Sequence, residues 1–468
     1  MYNRLQQERD SLSNVLEAVS QHALAHLQQL TNHPAAQAPT ALPPQPLPAA
    51  GIGFSAALQH FSERWQPQLS GSAGPRYLGF ITGGATPAAL AGDWLTSALD
   101  QNPMNSLDGA GQLLEREALA WLRELFELPA EFAGSFVSGA TVSNMVGLAI
   151  AREWCGEQRG VSVANDGLAA LGAIDILSGA AHSSLYKAAA MLGIGRKAIH
   201  SVALLPEREA VDVVALEQAL KQALAARPGQ PVIVVANAGT VNSVDFDDLV
   251  AIAALRDRYP FWLHVDAAFG AFARLLPAHA DKVRGLELAD SICIDLHKWL
   301  NVPYDSAVQF SRRQDLQVRV FQNASVYLGM PTGDPDFVHL TPENSRRFRA
   351  LPAWFSLLAY GRAGHADIVA RNVALAEALT SRLANEPRLR LLAPTRLNVV
   401  CFSLADNPTA ERIQALVRNL RDDGEVFLTA TVYQGTWGVR AAFSNWRTEP
   451  ADIDRIVIAL GQALDRIH

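Results

Sequence analysis

PVIVVANAG at 231–239, FWLHVDAA at 261–268 and SICIDL at 291–296 are apolar runs of strand length, each closing on small or acidic residues. Their apolar residues are continuous rather than alternating, so both faces of each strand need cover. A helical pattern over 246–257 fills the gap between the first two. This combination predicts an α/β fold, with a mostly parallel sheet between layers of helices. Working outward, GSFV (134–137), AIHSVALL (198–205) and AVQFS (307–311) read as further strands, with helices over 141–154 and 214–226. Ligands of such sheets gather beyond the carboxyl ends of the strands, and chemistry is sought there.

Beyond about 345 the pattern changes to a long helical stretch (346–385), then NVVCFSL (398–404), GVRAAFS (438–444) and a closing helix over 450–466. This reads as a smaller α+β unit. At the other end, Leu5, Leu12, Val15, Leu16, Val19, Ala23 and Leu27 fall near helical spacing. Residues 34–50 are a Pro/Ala-rich connector, and helices are expected over 54–65 and 87–99. The expected division is an N-terminal helical arm (1–80), a large domain (81–345) and a small C-terminal domain (346–468).

Of 468 residues, 49% are hydrophobic and 18% charged, which places the chain among ordinary globular proteins. Its 39 Lys+Arg against 46 Asp+Glu leave a net charge of −7, which offers no footprint for nucleic acid. No apolar run is long enough to cross a bilayer, and the opening residues do not read as a signal peptide, so a soluble, cytoplasmic protein is expected. Cys155, Cys293 and Cys401 lack metal or disulfide spacing, and the last two sit in apolar runs as core thiols. His22 and His26 share a helix face without a third ligand; a solvated face is the expectation, and no metal.

Three strand ends carry candidate chemistry. Asp266 closes FWLHVD, where an acid needs a partner; taken alone it reads more readily as a helix cap or half of a structural ion pair. Lys298 follows SICIDLH, where desolvation would lower its pKa as a Schiff-base lysine requires. Ser138-Gly139-Ala140-Thr141 joins a strand to a helix, and its small residues let backbone N–H groups approach a single phosphate. A phosphate cradle, an acid and a lysine at the ends of one sheet are what pyridoxal phosphate requires, and His182, at another strand-to-helix junction, can cover the ring.

With these pieces in order, the chain resembles the group II pyridoxal-phosphate amino-acid decarboxylases, which include the aromatic amino-acid, glutamate and cysteine-sulfinate enzymes. The resemblance is carried by PRYLGFITGG, LAGDWLTSAL, SGATVSNMVGLAIAR, AAHSSLYKAAAMLG, NAGTVNSVDFDDL, WLHVDAAFGAF, LADSICIDLHKWLNVPYD and SRRFRALPAWFSLLAYG, from about residue 75 onward. It implies the aspartate-aminotransferase-like fold type I with a mostly parallel seven-stranded sheet, working as a homodimer with its sites at the interface. It also implies the residue roles. Lys298 would form the aldimine, Asp266 would pair with the pyridine nitrogen, Ala268 would lie against the ring and His182 would stack over it. Ala140 and Thr141 would hold the phosphate, with Thr240 near the cofactor and His297 near substrate. Thr82 matches a threonine by the substrate carboxylate, and Arg440 is a candidate carboxylate partner, with a structural role equally open. Asn102 and Met104 fall where aromatic-substrate members place pocket walls, partly in a partner subunit.

Two departures stand out. Asp295 replaces a frequent Asn, and an acid beside a phosphate must pair or turn away. Val241 follows Thr240 where a second threonine is usual. A mobile loop is expected between Tyr327-Leu328 and Arg346-Arg347-Phe348, and counting back nine residues from Arg346 lands on Phe337. Aromatic amino-acid decarboxylases carry a proton-donating tyrosine there. The expected reaction is α-decarboxylation of an aromatic or acidic L-amino acid to the amine. Phe337 keeps oxidative deamination to an aldehyde open, and a vestigial, non-enzymatic scaffold is the remaining alternative.

Overall fold

The computed structural model describes residues 1–323 and 333–467; Tyr327 and Leu328 lie outside the described residues. The apolar runs form a seven-stranded sheet of β1 (Ala133–Val137), β2 (Ile176–Ser178), β3 (Ile199–Ser201), β4 (Val232–Asn237), β5 (Phe261–Asp266), β6 (Ser291–Asp295) and β7 (Ala307–Ser311). Their order is β1-β7-β6-β5-β4-β2-β3, and β7 alone runs antiparallel to its neighbours. Every residue of β4, β5 and β6 is buried, as continuous apolar strands require.

The second sheet contains β8 (Leu389–Leu391), β9 (Val399–Leu404), β10 (Thr429–Tyr433) and β11 (Thr436–Ala442), in the order β10-β11-β9-β8. Each sheet has its own apolar core, and the helix Ala350–Leu383 contributes to both, with Leu357, Ile368 and Val369 in one and Leu375, Leu379 and Leu383 in the other.

Several expected boundaries move for local reasons. The helix read from 346 starts at Ala350 and breaks at Gly361, whose φ of 57° and ψ of −173° are not helical. The helix read from 246 starts at Leu249, where the Asp248 carboxylate accepts from Ala251 N–H at 3.0 Å and caps it. AIHSVALL pairs over only three residues, because β3 is an edge strand beside the equally short β2. The helices Asn3–Asp10, Leu12–Gln29 and Phe54–Arg64 bury no residue at all. Among the described residues, no helix is long and apolar enough to cross a membrane.

A strip of chain at 76–86 ties distant parts together. Leu78 N–H donates to Phe427 O and Leu78 O accepts from Ala442 N–H, both at 2.9 Å, so the strip borders the small sheet. Eight residues on, Thr86 N–H donates to Asn301 O at 2.9 Å, while Gly83 N–H reaches His297 O at 3.2 Å.

Candidate active site

The carboxyl ends of β4, β5 and β6 open onto a cavity of about 370 Å³. Ala140, His182, Thr240, Asp266, Ala268, His297, Lys298 and Arg440 line it, so eight expected residues from seven separate elements or loops converge on one space. Thr141 follows Ala140 in the first turn of the helix Ala140–Glu157. Thr82 stands one step back, accepting from the Tyr304 hydroxyl at 2.9 Å, and Tyr304 itself lines the cavity.

Asp266, at the end of β5, is 8% exposed and accepts from Ala268 N–H at 3.2 Å and from Asn144 Nδ2 at 3.0 Å. No cation pairs with it among the described residues, so the bland reading of a structural ion pair fails here. His182 is both things the sequence allowed: it caps the helix Ser183–Met191 by accepting from Ser184 N–H at 3.3 Å, and it borders the cavity.

Lys298 corrects one expectation. Burial works to lower its pKa, but Asp295, at 2.8 Å, more than offsets that, and the ammonium is held above its ordinary value. Its side chain keeps 18% of its surface exposed, enough for a small molecule to reach. Asp295 has therefore found the partner that its place near a phosphate cradle demanded, while its Oδ1 has none. His297 Nε2 is 3.8 Å from Asp295, its ring lies 4.4 Å from that of Tyr304, and burial pushes its pKa down.

Arg440, from β11, donates to Val241 O at 3.1 Å, its buried Nε lacks a partner, and no carboxylate pairs with it among the described residues. Glu209, which the sequence reading missed, accepts from Thr240 Oγ1 at 2.6 Å, Ser243 Oγ at 2.8 Å and Asn242 Nδ2 at 3.0 Å. It arrives from a turn more than thirty residues away, and nothing in its local spacing marks it. Phe80 and Tyr304 were also missed, although both lie within the quoted pieces PRYLGFITGG and LADSICIDLHKWLNVPYD.

Three expected residues do not reach this cavity. Met104 is fully buried in the apolar core, and its carbonyl accepts from Val338 N–H at 2.9 Å. Asn102 Oδ1 accepts from Arg346 N–H at 3.2 Å. Phe337 sits in a 3-10 turn, 1% exposed, with the Arg116 and Arg346 guanidinium carbons 5.1 and 5.7 Å from its ring centre. A phenyl ring lacking a hydroxyl packs here as core, with two cations on its faces.

Residues 40–405 match the pyridoxal-dependent decarboxylase conserved domain. An L-2,4-diaminobutyrate decarboxylase of Rhizobium meliloti (strain 1021) is 30% identical over 427 residues, covering 89% of this chain and 83% of the relative. An aromatic-L-amino-acid decarboxylase of Bacillus atrophaeus is 28% identical over 397 residues, 82% and 80% of the two chains. In fold, the chain is similar to Oryza sativa TDC with PLP and tryptamine, with a TM-score of 0.90 at 23% identity over 98% of this chain and 99% of that one. Mouse CSAD gives a TM-score of 0.86 at 22% identity, over 97% and 98%. The sheet order, the small second sheet and these likenesses agree on fold type I. A domain match over most of the chain, with a relative at 30% identity along 89% of it, makes this protein a member of the pyridoxal-dependent decarboxylase family, a carboxy-lyase that uses pyridoxal phosphate.

Proposed function

We propose that the chain removes CO2 from the α-carbon of an L-amino acid, releasing the amine, with Lys298 as the covalent anchor of the cofactor. One observation carries the reading: Lys298, Asp266 and His182 come from three different strand ends yet border a single cavity. The groups present suit the cofactor. A helix N-terminus at Ala140 and Thr141 offers N–H donors and a positive dipole end to a phosphate. Asp266, without a cation of its own, suits a protonated ring nitrogen, and the reachable amine of Lys298 suits an aldehyde. When bound, pyridoxal phosphate supplies that aldehyde and a ring that takes up the electrons of the breaking Cα–carboxylate bond.

The protein's part is binding, orientation and proton placement. Asp266 would hold the ring at its nitrogen, and His182, Ala268 and Thr240, which line the same cavity, would pack around it. Arg440 receives a substrate carboxylate, supported by its partnerless buried Nε. Thr82 and Tyr304 form a hydroxyl pair at the substrate end. His297, kept neutral at pH 7 by burial, can hold or pass a proton beside Lys298. Asn102 keeps a substrate-side role only if a second copy brings it to this cavity, whereas Met104 and Phe337 are buried within the chain's own core.

The cavity wall mixes Phe80 and Ile81 with Glu209 and Arg440. Aromatic and acidic side chains both find partners there, and the Rhizobium relative adds a diamino acid to the candidates. CO2 release measured across the twenty amino acids, cysteine sulfinate and L-2,4-diaminobutyrate tests the reading. Wild type should turn over at least one, and Lys298→Ala should lose both CO2 release and the cofactor's visible absorbance band. No CO2 from any of them, with cofactor bound, would overturn it. The same assay decides the aldehyde alternative: peroxide and aldehyde in air would support it, and amine alone would reject it.

A further inference from the structure

Trp262, on β5, has an indole N–H that can only donate, and it donates to Ser291 Oγ at 2.9 Å. The Ser291 hydroxyl proton is then free to point at His264 Nδ1, 2.7 Å away. With Nδ1 accepting, neutral His264 carries its proton on Nε2, which faces Asn144 Oδ1 at 2.9 Å. This fixes the orientation of the Asn144 amide, whose Nδ2 donates to Asp266 Oδ2 at 3.0 Å and to Ser184 Oγ at 3.1 Å. Ser184 in turn is 2.8 Å from His182 Nδ1. Every donor along this path finds an acceptor, and every member up to the branch is at most 1% exposed.

We propose that Trp262, Ser291, His264 and Asn144 form a one-way hydrogen-bond relay that divides at Asn144 and sets both Asp266 and His182, the two side chains that would grip the cofactor ring from its edge and its face. Asn144 and His264 are positioning residues acting through Asp266 and His182. The inference rests on the cofactor roles proposed above for those two residues.

The surrounding structure is built for the relay. Gly147, one turn along the helix from Asn144, has no side chain because a Cβ there would stand 2.5 Å from His264 Cε1. Burial pushes the His264 pKa down to about 4, against the pull of Asp266, so the ring stays neutral at working pH with one donor and one acceptor nitrogen, and the Trp262–Ser291 pair decides which is which. Asp266 therefore meets an amide that has only one way to face. An unpinned Asn144 could present its oxygen to Asp266, and two acceptors would then repel across a buried gap.

The relay has consequences readable without turnover. In the cofactor-free protein, side-chain ¹⁵N spectra should show His264 neutral with its proton on Nε2 from about pH 5 to about pH 9. In protein loaded with pyridoxal phosphate, Asn144→Ala should weaken cofactor affinity by about 10- to 100-fold and move the pH at which the visible band titrates. His264→Leu should do the same, and His264→Gln, which keeps a donor toward Asn144, should restore part of the loss. Thermal melts identify variants that merely fail to fold, and the ¹⁵N measurement on wild type stands regardless of them. A His264 proton on Nδ1, or an unmoved band titration and affinity in folded Asn144→Ala, would overturn the relay. Asp266→Asn separates this from failure of the underlying reading: if that variant too leaves band and turnover unchanged, the assignment of Asp266 has failed, whereas a change in Asp266→Asn alone sinks only the relay.

Discussion

Asp295 stands 2.8 Å from the Lys298 ammonium, so its charge acts directly on the lysine's proton. The amine that attacks an aldehyde must be uncharged, and Asp295 holds Lys298 above its ordinary value against the effect of burial. In Asp295→Asn the counter-charge is gone and desolvation is left to act. The rate at which cofactor-free protein captures pyridoxal phosphate, followed by absorbance, should then reach half its maximum at a lower pH than in wild type. An unmoved profile would mean that the pair does not control Lys298. The linkage sign follows: a raised folded-state pKa contributes stability below the unfolded value, ~10.4, and loses it as pH climbs through the folded one. At the pyridine edge, Asp266→Asn should keep the cofactor bound yet lower turnover by several orders of magnitude, and unchanged turnover would reject its role. Much of this scale was legible. Lys298, Asp266 and His182 stand beside strong local signals, whereas Glu209 reaches the cavity from a turn whose neighbours in sequence say nothing of Thr240. The direction of the Lys298 shift was misread because the sequence shows that Asp295 is near but not which group it faces.

At the scale of elements, the long buried strands were visible as apolar runs, and of the three-residue strands only β3 was, inside AIHSVALL. β2 has three residues, too few to show any period, and β8 has three more. β10 leaves only its last residue buried, so its signal is diluted by exposed positions. The strip at 76–86 has its own test. A Cβ on Gly83 would stand 1.9 Å from the Lys298 carbonyl oxygen and 2.9 Å from Asn301 Cγ, so Gly83→Ala must push the strip away from the short helix Leu296–Trp299. Overpacking of this kind costs about 1–3 kcal/mol. We expect a lower melting temperature together with weaker cofactor affinity, because the displaced backbone includes Lys298. A lower melting temperature with unchanged affinity would show that the strip only packs.

For the molecule as a whole, the N-terminal helices bury nothing in the single chain, and Leu5, Leu12, Leu16 and Leu24 are all more than half exposed. Apolar stripes of that kind need a second surface, and a homodimer is the expected assembly. Sedimentation at micromolar concentration should show a dimer; a fully active monomer would reject it. Acid sensitivity is also a property of the whole fold. Burial pushes both His264 and His365 down to about 4. Between that and the unfolded value near ~6.5 the unfolded chain binds more protons, so stability falls as pH drops through this window and levels off below it. Urea midpoints from neutral to acid pH should trace that decline, and His365→Leu should flatten it.

The strip at 76–86 has a kinematic consequence. It is laced to the small sheet at Leu78 and to the backbone around Lys298 at Gly83 and Thr86, within nine residues. A tether that short has almost no slack. The small sheet cannot swing away without dragging the lysine's own backbone along. The cavity must therefore gate substrate through parts not stitched by this strip, leaving the anchor point of the cofactor stationary while the rest of the wall yields.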